Sequence, residues 1–140
     1  MLILNTKFYN HGDVVKIAQQ LLGKIVVSKK EGKMTSGIII ETEAYKAPED
    51  KASHAFNFRR SPRNETMYSN AGMAYVYKCY GIHDMLNVVS APEDVPHAIL
   101  IRSIEPLEGL DIMQQRRQCS YNNYLLTGGP GKVCQALNIS

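Results

Sequence analysis

The sequence predicts a single α+β domain with a curved, mainly antiparallel β-sheet, flanking short helices and a protruding β-hairpin. Apolar runs are joined in pairs by tight-turn sequences, which is typical of hairpins and therefore of antiparallel strands. Helical spacing of apolar residues extends over only two or three turns at a time, which predicts short helices. A chain of 140 residues is long enough to bury roughly two thirds of its unfolded surface, so one domain spanning 1–140 is expected.

Composition and residue spacing argue against several classes of protein. No apolar run approaches the length of a membrane span, and the first residues lack the pattern of a signal peptide. The three cysteines are odd in number and far apart, which argues against a disulfide framework and a paired zinc site. The four histidines show no i,i+4 spacing. We therefore expect an intracellular protein without metal or cofactor.

The first third of the chain predicts one helix and one hairpin. Asp13 is a candidate N-cap, and Gly23 is a candidate end for the helix that follows. A strand over 24–29 and a turn at 31–33 then lead into a second strand that ends at Tyr45. The residues expected on the buried side of the helix are Val14, Ile17, Ala18, Leu21 and Leu22.

The end of the second strand carries the first functional candidates. Ile38-Ile39-Ile40 runs directly into Glu41, Glu43 and Tyr45, which share one face because strand side chains alternate. A carboxylate at the end of a buried strand is costly to desolvate unless it is hydrogen-bonded or functional. The pattern fits a strand that emerges into solvent, and it also fits a catalytic carboxylate.

Two further segments have both a structural and a functional interpretation. The loop 58–64 carries three arginines in five residues, which suits either a solvated loop or contacts with phosphate. Residues 73–80 and 83–89 predict a hairpin joined by Gly81-Ile82, after a turn at 70–72. Its tip presents Tyr80, Ile82 and His83, which either pack on the domain or form a wedge for a base stack.

The last third predicts one strand and two helical segments. His97–Glu105 is a strand stopped by Pro106, and helical spacing continues from Leu107 to Arg117. Residues 118–127 are expected to be irregular, and an amphipathic segment covers 133–139. The glycine-rich loop 128–132 is not a Walker A motif, because Val133 replaces the required Ser or Thr. The loop either presents N–H groups and a lysine to phosphate or merely starts a helix.

A series of short motifs follows in order along nearly the whole chain. They are Thr42-Glu43-Ala44-Tyr45, Pro48-Glu49-Asp50, Ser53-His54, Pro62-Arg63-Asn64, Ala74-Tyr75-Val76-Tyr77, Tyr80-Gly81, Leu86-Asn87, Leu100-Ile101-Arg102, Ile104-Glu105-Pro106-Leu107-Glu108-Gly109 and Gly129-Pro130-Gly131-Lys132-Val133-Cys134-Gln135-Ala136-Leu137. In this set the sequence resembles the alkyladenine (3-methyladenine) DNA glycosylase family. At the hairpin tip it departs from the family's usual residues, with Ile82 and His83.

The resemblance implies an activity and a set of site residues. The activity is hydrolytic removal of alkylated purines from duplex DNA, such as 3-methyladenine and 7-methylguanine, with hypoxanthine and etheno-adenine as further candidates. The implied enzyme is a monofunctional base-excision glycosylase that flips the damaged base out of the duplex. It is expected in the bacterial cytoplasm or nucleoid or in a eukaryotic nucleus. The implied roles are catalysis by Glu43 and Arg102, a base pocket of Tyr45, His54, Tyr77 and Asn87, intercalation by Tyr80, and DNA-backbone contacts by Arg59, Arg63, Gly131 and Lys132.

The chain is shorter than members of the family that it resembles. Members continue further, with strands that close the sheet, so the alternative is a truncated damaged-DNA-binding module with weak or no activity. Without those strands, Ile38–Ile40 or Ile99–Ile101 is expected to form an unpaired apolar edge. The chain is then expected to be a monomer that self-associates if this edge is open.

Overall fold

The computed structural model describes residues 1–121 and 123–140. The helices are α1 (Thr6–Tyr9), α2 (Val14–Leu21), α3 (Leu110–Arg117), α4 (Tyr124–Thr127) and α5 (Pro130–Leu137). The strands are β1 (Ile25–Lys30), β2 (Lys33–Lys46), β3 (Ala74–Cys79), β4 (His83–Ser90) and β5 (His97–Glu108). Two single 3-10 turns cover Phe56–Phe58 and Glu65–Tyr68. These elements confirm the α+β prediction.

The five strands form one curled antiparallel sheet in the order β1-β2-β5-β4-β3. Both β2 and β5 therefore have a neighbour on each side, and β1 and β3 are the outer strands. The expectation that Ile38–Ile40 or Ile99–Ile101 forms an unpaired edge is wrong. Strand β1 pairs with β2 on one side, and β5 lies between β2 and β4. On the outer strand β1, Lys29 and Lys30 discourage edge-to-edge pairing.

Both hairpins are closed by two residues with positive φ. Glu31 and Gly32 (φ 52° and 75°) join β1 to β2, and Tyr80 and Gly81 (φ 53° and 71°) join β3 to β4. Two positive φ angles in succession suit the right-handed twist of the flanking strands. The predicted connection Gly81-Ile82 is displaced by one residue, because Tyr80 itself adopts the left-handed conformation. The turn thereby places Tyr80 at its apex.

Other predicted boundaries needed correction. β5 continues through Pro106 to Glu108, since a proline is tolerated where its nitrogen is not required in the ladder. The helix predicted from Leu107 begins at Leu110, after Gly109 with φ 76°. A side chain at Gly109 would meet the Met34 carbonyl at 2.7 Å, so a close backbone approach fixes this boundary. The segment 118–127 contains α4 rather than irregular chain alone, and Asn122 lies outside the described residues.

Helix α2 forms where the apolar spacing predicts it. The Asp13 carboxylate accepts a hydrogen bond from Lys16 N at 3.0 Å, as an N-cap does, and Gly23 ends the segment with φ 83°. The predicted buried side is correct except for Leu22, which is 45% exposed because it follows the last helical turn. The buried residues are Val14, Ile17, Ala18 and Leu21.

Backbone contacts divide the chain into two compact units. Unit 1 comprises 1–19, 43–75 and 87–100, and unit 2 comprises 20–42, 76–86 and 101–140. In unit 2, helices α3, α4 and α5 pack on one another, and Arg116 and Arg117 donate hydrogen bonds to the carbonyls of Ala136 and Leu126. Among the described residues, no helix is long and apolar enough to cross a membrane.

Candidate active site

Glu43 and Tyr45 form a hydrogen-bonded pair at the end of β2 in unit 1. The Tyr45 hydroxyl donates to Glu43 Oε1 at 2.6 Å, and both side chains are partly buried. This contact confirms that the two residues share one face of the strand, as the alternation predicts. The hydroxyl restricts the orientation of the carboxylate.

His54 lies beside Tyr75, and Asn87 contacts the backbone of Tyr75 in the same unit. Its Nδ1 is 3.1 Å from the hydroxyl of the buried Tyr75, and the two rings meet edge to face. The Asn87 side chain is 2% exposed and its Nδ2 donates to the Tyr75 carbonyl at 3.4 Å. Burial, and secondarily the positive charge of Arg63, lowers the pKa of His54. The imidazole is therefore held towards its neutral form, which both donates and accepts hydrogen bonds.

The basic loop lines an open cleft of about 280 Å³ in unit 1. The cleft-lining residues are His54, Arg59, Ser61, Arg63 and Asn64.

Arg60 has a different environment from the other arginines of this loop. It forms salt bridges with Glu65 at 2.6 Å and Asp94 at 2.9 Å, and its guanidinium lies 4.4 Å from the centre of the Tyr68 ring. Of the three arginines, Arg60 therefore acts as a structural tether. Arg59 and Arg63 are the pair that lines the cleft.

In unit 2, Arg102 is held by a carboxylate from the neighbouring strand. Its Nε donates to Glu41 Oε1 at 2.9 Å, and the Ser103 hydroxyl donates to Glu41 Oε2 at 3.0 Å. These hydrogen bonds, from Arg102 first and Ser103 second, lower the pKa of Glu41. The two side chains are 37% and 41% exposed, so solvent reaches this pair. Glu41 thus orients an arginine that the sequence singled out without indicating its partner.

The β3–β4 hairpin ends in an exposed tip. Tyr80 is 91% exposed and Ile82 is 72% exposed, so neither side chain packs on the domain. The preceding Tyr77 is half-buried on β3.

His83 is the tip residue that does make a packing contact. A Cβ placed at Gly131, in the first turn of α5, would lie 3.1 Å from the His83 ring. Lys132 follows on the same turn. The glycine of the Gly-Pro-Gly-Lys segment therefore allows the hairpin and the helix to approach closely.

Comparisons with known proteins point to one family. The family model described as methylpurine-DNA glycosylase (MPG) matches residues 7–140. A protein of Chlamydia abortus named "Putative 3-methyladenine DNA glycosylase" is 55% identical over 139 residues, which covers 99% of this chain and 73% of the relative. A protein of the same name from Clostridium acetobutylicum is 44% identical over 140 residues, covering 95% of this chain and 68% of the relative.

The chain belongs to the methylpurine-DNA glycosylase family. This confirms the resemblance found in the sequence.

Within this family member, the structure brings several predicted site residues together. Glu43 contacts Tyr45, and His54, Arg59 and Arg63 line one cleft. Tyr77, Tyr80, Arg102, Gly131 and Lys132 belong to unit 2.

Sequence reasoning missed four residues that shape the site of this methylpurine-DNA glycosylase relative. They are Asn64, Ser103, Tyr75 as the partner of His54, and Glu41 as the partner of Arg102. The motif Pro62-Arg63-Asn64 contained Asn64, but nothing local in the sequence signalled that its side chain is buried.

Proposed function

We propose that this chain is a monofunctional DNA glycosylase that flips alkylated purines out of duplex DNA and hydrolyses their N-glycosidic bond. The observation that carries the proposal is the family match over 7–140, whose relatives bear the 3-methyladenine name. 3-Methyladenine is the first expected substrate and 7-methylguanine the second, with hypoxanthine and etheno-adenine as further candidates.

In this proposal Glu43 is the general base. Its carboxylate takes a proton from a water molecule, whose oxygen forms a bond to C1′ of the flipped nucleotide. The C1′–N bond breaks and its electron pair goes to the departing purine. Alkylation at N3 or N7 gives that purine a positive charge, so it leaves as a neutral base without strong acid catalysis. A carboxylate also stabilises the oxocarbenium character of the transition state electrostatically.

The remaining residues divide into base recognition and DNA binding. Tyr45, His54 and Tyr77 would hold the flipped base by stacking and hydrogen bonding, as extrahelical bases are generally read. The lowered pKa of His54 suits this role, because a neutral imidazole carries both a donor and an acceptor. Arg102 would act near the attacked carbon and the backbone, in the orientation that Glu41 gives it.

Tyr80 is the proposed intercalating residue. Its 91% exposure at the apex of a tight turn supports this role, because a wedge must leave its own domain to enter the base stack. The proposed backbone contacts are those of Arg59, Arg63, Gly131 and Lys132.

Asn87 is the proposed selector against guanine, through a clash with its exocyclic amino group. The side chain is buried and bonded to the Tyr75 carbonyl, which supports a fixed amide position. Exchange for serine, which is shorter, is then expected to raise excision of guanine adducts relative to adenine adducts.

The test is an excision assay on a duplex with a single 3-methyladenine. We expect abasic sites to accumulate without strand cleavage, and the Glu43→Gln variant serves as the inactive control. Binding of the lesion duplex without any abasic product would contradict the proposal and support the damaged-DNA-binding module. Neither binding nor product would exclude both functions.

A further inference from the structure

The basic loop of unit 1 is organised around one buried side chain. Asn64 is only 3% exposed, although it follows Arg63 in a strongly polar segment. Its Nδ2 donates to the carbonyls of His54 at 3.1 Å and Arg59 at 2.9 Å. Its Oδ1 accepts a hydrogen bond from the Ser61 amide at 2.8 Å. The side-chain amide of Asn64 therefore bonds to the backbone at three positions, which are His54, Arg59 and Ser61.

This bonding pattern requires a carboxamide. It uses two donors and one acceptor, which asparagine supplies and an ionised aspartate, an acceptor only, does not. An aspartate at this position would point a buried negative charge at two carbonyl oxygens. An aliphatic residue would leave both carbonyls and the Ser61 amide without this partner, and a buried unsatisfied polar group costs about 1–3 kcal/mol.

A second contact strengthens the same loop. The hydroxyl of the buried Tyr68 donates to the Arg59 carbonyl at 2.7 Å, so this carbonyl accepts two hydrogen bonds. Arg60 stacks on the Tyr68 ring and is paired with Glu65 and Asp94. The backbone on both sides of Arg59 is thereby fixed, and the side chains of Arg59 and Arg63 line the cleft beside His54.

We propose that Asn64 is a positioning residue that pre-organises Arg59 and Arg63 for contact with the DNA backbone. This inference rests on the proposed function. Ordering a flexible, rotamer-rich side chain on binding costs roughly 0.5–1.5 kcal/mol. By holding the loop in place before DNA arrives, Asn64 removes much of that cost. Its contribution therefore appears in DNA affinity, and it acts through the two arginines.

The test is a double-mutant cycle on the affinity for an undamaged fluorescent duplex at fixed salt. The four proteins are the parent, Asn64→Asp, Arg59→Ala with Arg63→Ala, and the combination of all three changes. Asn64→Asp is expected to weaken binding about tenfold, the cost of ordering two side chains on binding. In the Asn64→Asp background the arginine substitutions are expected to cost about tenfold less affinity than in the parent, because unpositioned arginines contribute less.

A matched control separates positioning from the chemical change itself. Asn70 is an exposed asparagine in the same unit, and Asn70→Asp introduces the same charge at the surface. It is expected to leave both the affinity and the cost of the arginine substitutions unchanged within about twofold, since isolated surface charges matter little. If the arginines cost as much in Asn64→Asp as in the parent, Asn64 does not act through them and the proposal is overturned.

Two further measurements cover variants that fail to fold. If Asn64→Asp is unfolded by circular dichroism, the cycle is repeated with Asn64→Ser, which lacks the second donor but adds no charge. In the parent, the Ser61 amide is expected to be protected from hydrogen exchange by Asn64 Oδ1. Exchange at the rate of an unstructured amide would overturn the proposal. This measurement uses no DNA, so it tests the Asn64 contacts even if the proposed glycosylase activity fails.

Discussion

Two glutamates on strand β2, two residues apart, have opposite surroundings. Glu41 accepts hydrogen bonds on both oxygens, from the guanidinium of Arg102 at 2.9 Å and the hydroxyl of Ser103 at 3.0 Å. Glu43 Oε1 accepts a hydrogen bond from the hydroxyl of Tyr45 at 2.6 Å. The first carboxylate belongs to an ion pair between strands, and the second is oriented by its own strand.

This difference supports different proposed roles for the two carboxylates. The hydrogen bonds and the charge of Arg102 lower the pKa of Glu41, which makes it a poorer proton acceptor. A base also needs access to the reacting water, and the oxygens of Glu41 are already engaged. The Tyr45 hydroxyl orients the carboxylate of Glu43. We therefore propose that Glu43 abstracts the proton and that Glu41 orients Arg102.

The largest expected effect is that of Glu43→Gln. Glutamine keeps the shape and still accepts the Tyr45 hydrogen bond, but it does not take a proton. The single-turnover rate of base release should fall at least about a hundredfold, the usual contribution of a positioned base. Affinity for the lesion duplex, measured in parallel by fluorescence anisotropy, should remain nearly unchanged, because glutamine keeps the shape of the side chain and its bond to Tyr45. Loss of binding together with the rate would instead indicate a role in DNA contact.

An intermediate effect is expected for Tyr45→Phe. The aromatic ring remains available for stacking, and only the hydroxyl that orients Glu43 is lost. A net hydrogen bond of about 0.5–1.5 kcal/mol corresponds to a decrease of roughly two- to tenfold in the single-turnover rate. Tyr45→Ala removes the ring as well and serves as the comparison variant. Equal rates for the parent and Tyr45→Phe would show that the hydroxyl does not position the carboxylate for catalysis.

The smallest effect is expected for Glu41→Gln, and it concerns the free energy of unfolding. Its ion pair with Arg102 is substantially exposed, so the free energy of unfolding should change by no more than about 1 kcal/mol. Because folding lowers the pKa of Glu41 from its usual 4.5, the stabilisation is complete above that pH and is lost as pH falls through the lowered pKa. Denaturant titrations of parent and variant should therefore differ at pH 7 and converge in acid. A difference that grows towards low pH would contradict the assigned ion pair.

The sequence predicted those parts of the site that depend on local periodicity. Alternation along one strand placed Glu43 and Tyr45 on one face, and the hairpin pattern placed Tyr80 near an exposed tip. Contacts between distant segments were not predictable in this way. Arg102 lies 61 residues from Glu41, and Asn64 reaches a carbonyl 10 residues earlier by folding back on its own loop.

The errors in the predicted boundaries have the same origin. Pro106 was expected to stop β5, but the need for a backbone hydrogen bond at one position depends on the neighbouring strand. Gly109 sets the start of α3 through its approach to the Met34 carbonyl, a contact between segments far apart in sequence. The order of the strands likewise depends on pairing between segments that are distant in sequence, as β2 and β5 are. The residues around Ile99 are therefore internal, although their apolar pattern was recognised correctly.

The most direct test of the account is the ratio of single-turnover excision rates for Glu41→Gln and Glu43→Gln. Both variants remove one carboxylate charge from the same strand, and both are assayed on one 3-methyladenine duplex at saturating protein. We predict that Glu41→Gln is faster than Glu43→Gln by at least about tenfold, because only Glu43 abstracts the proton. A ratio of one or less would contradict the assignment of Glu43 as the general base.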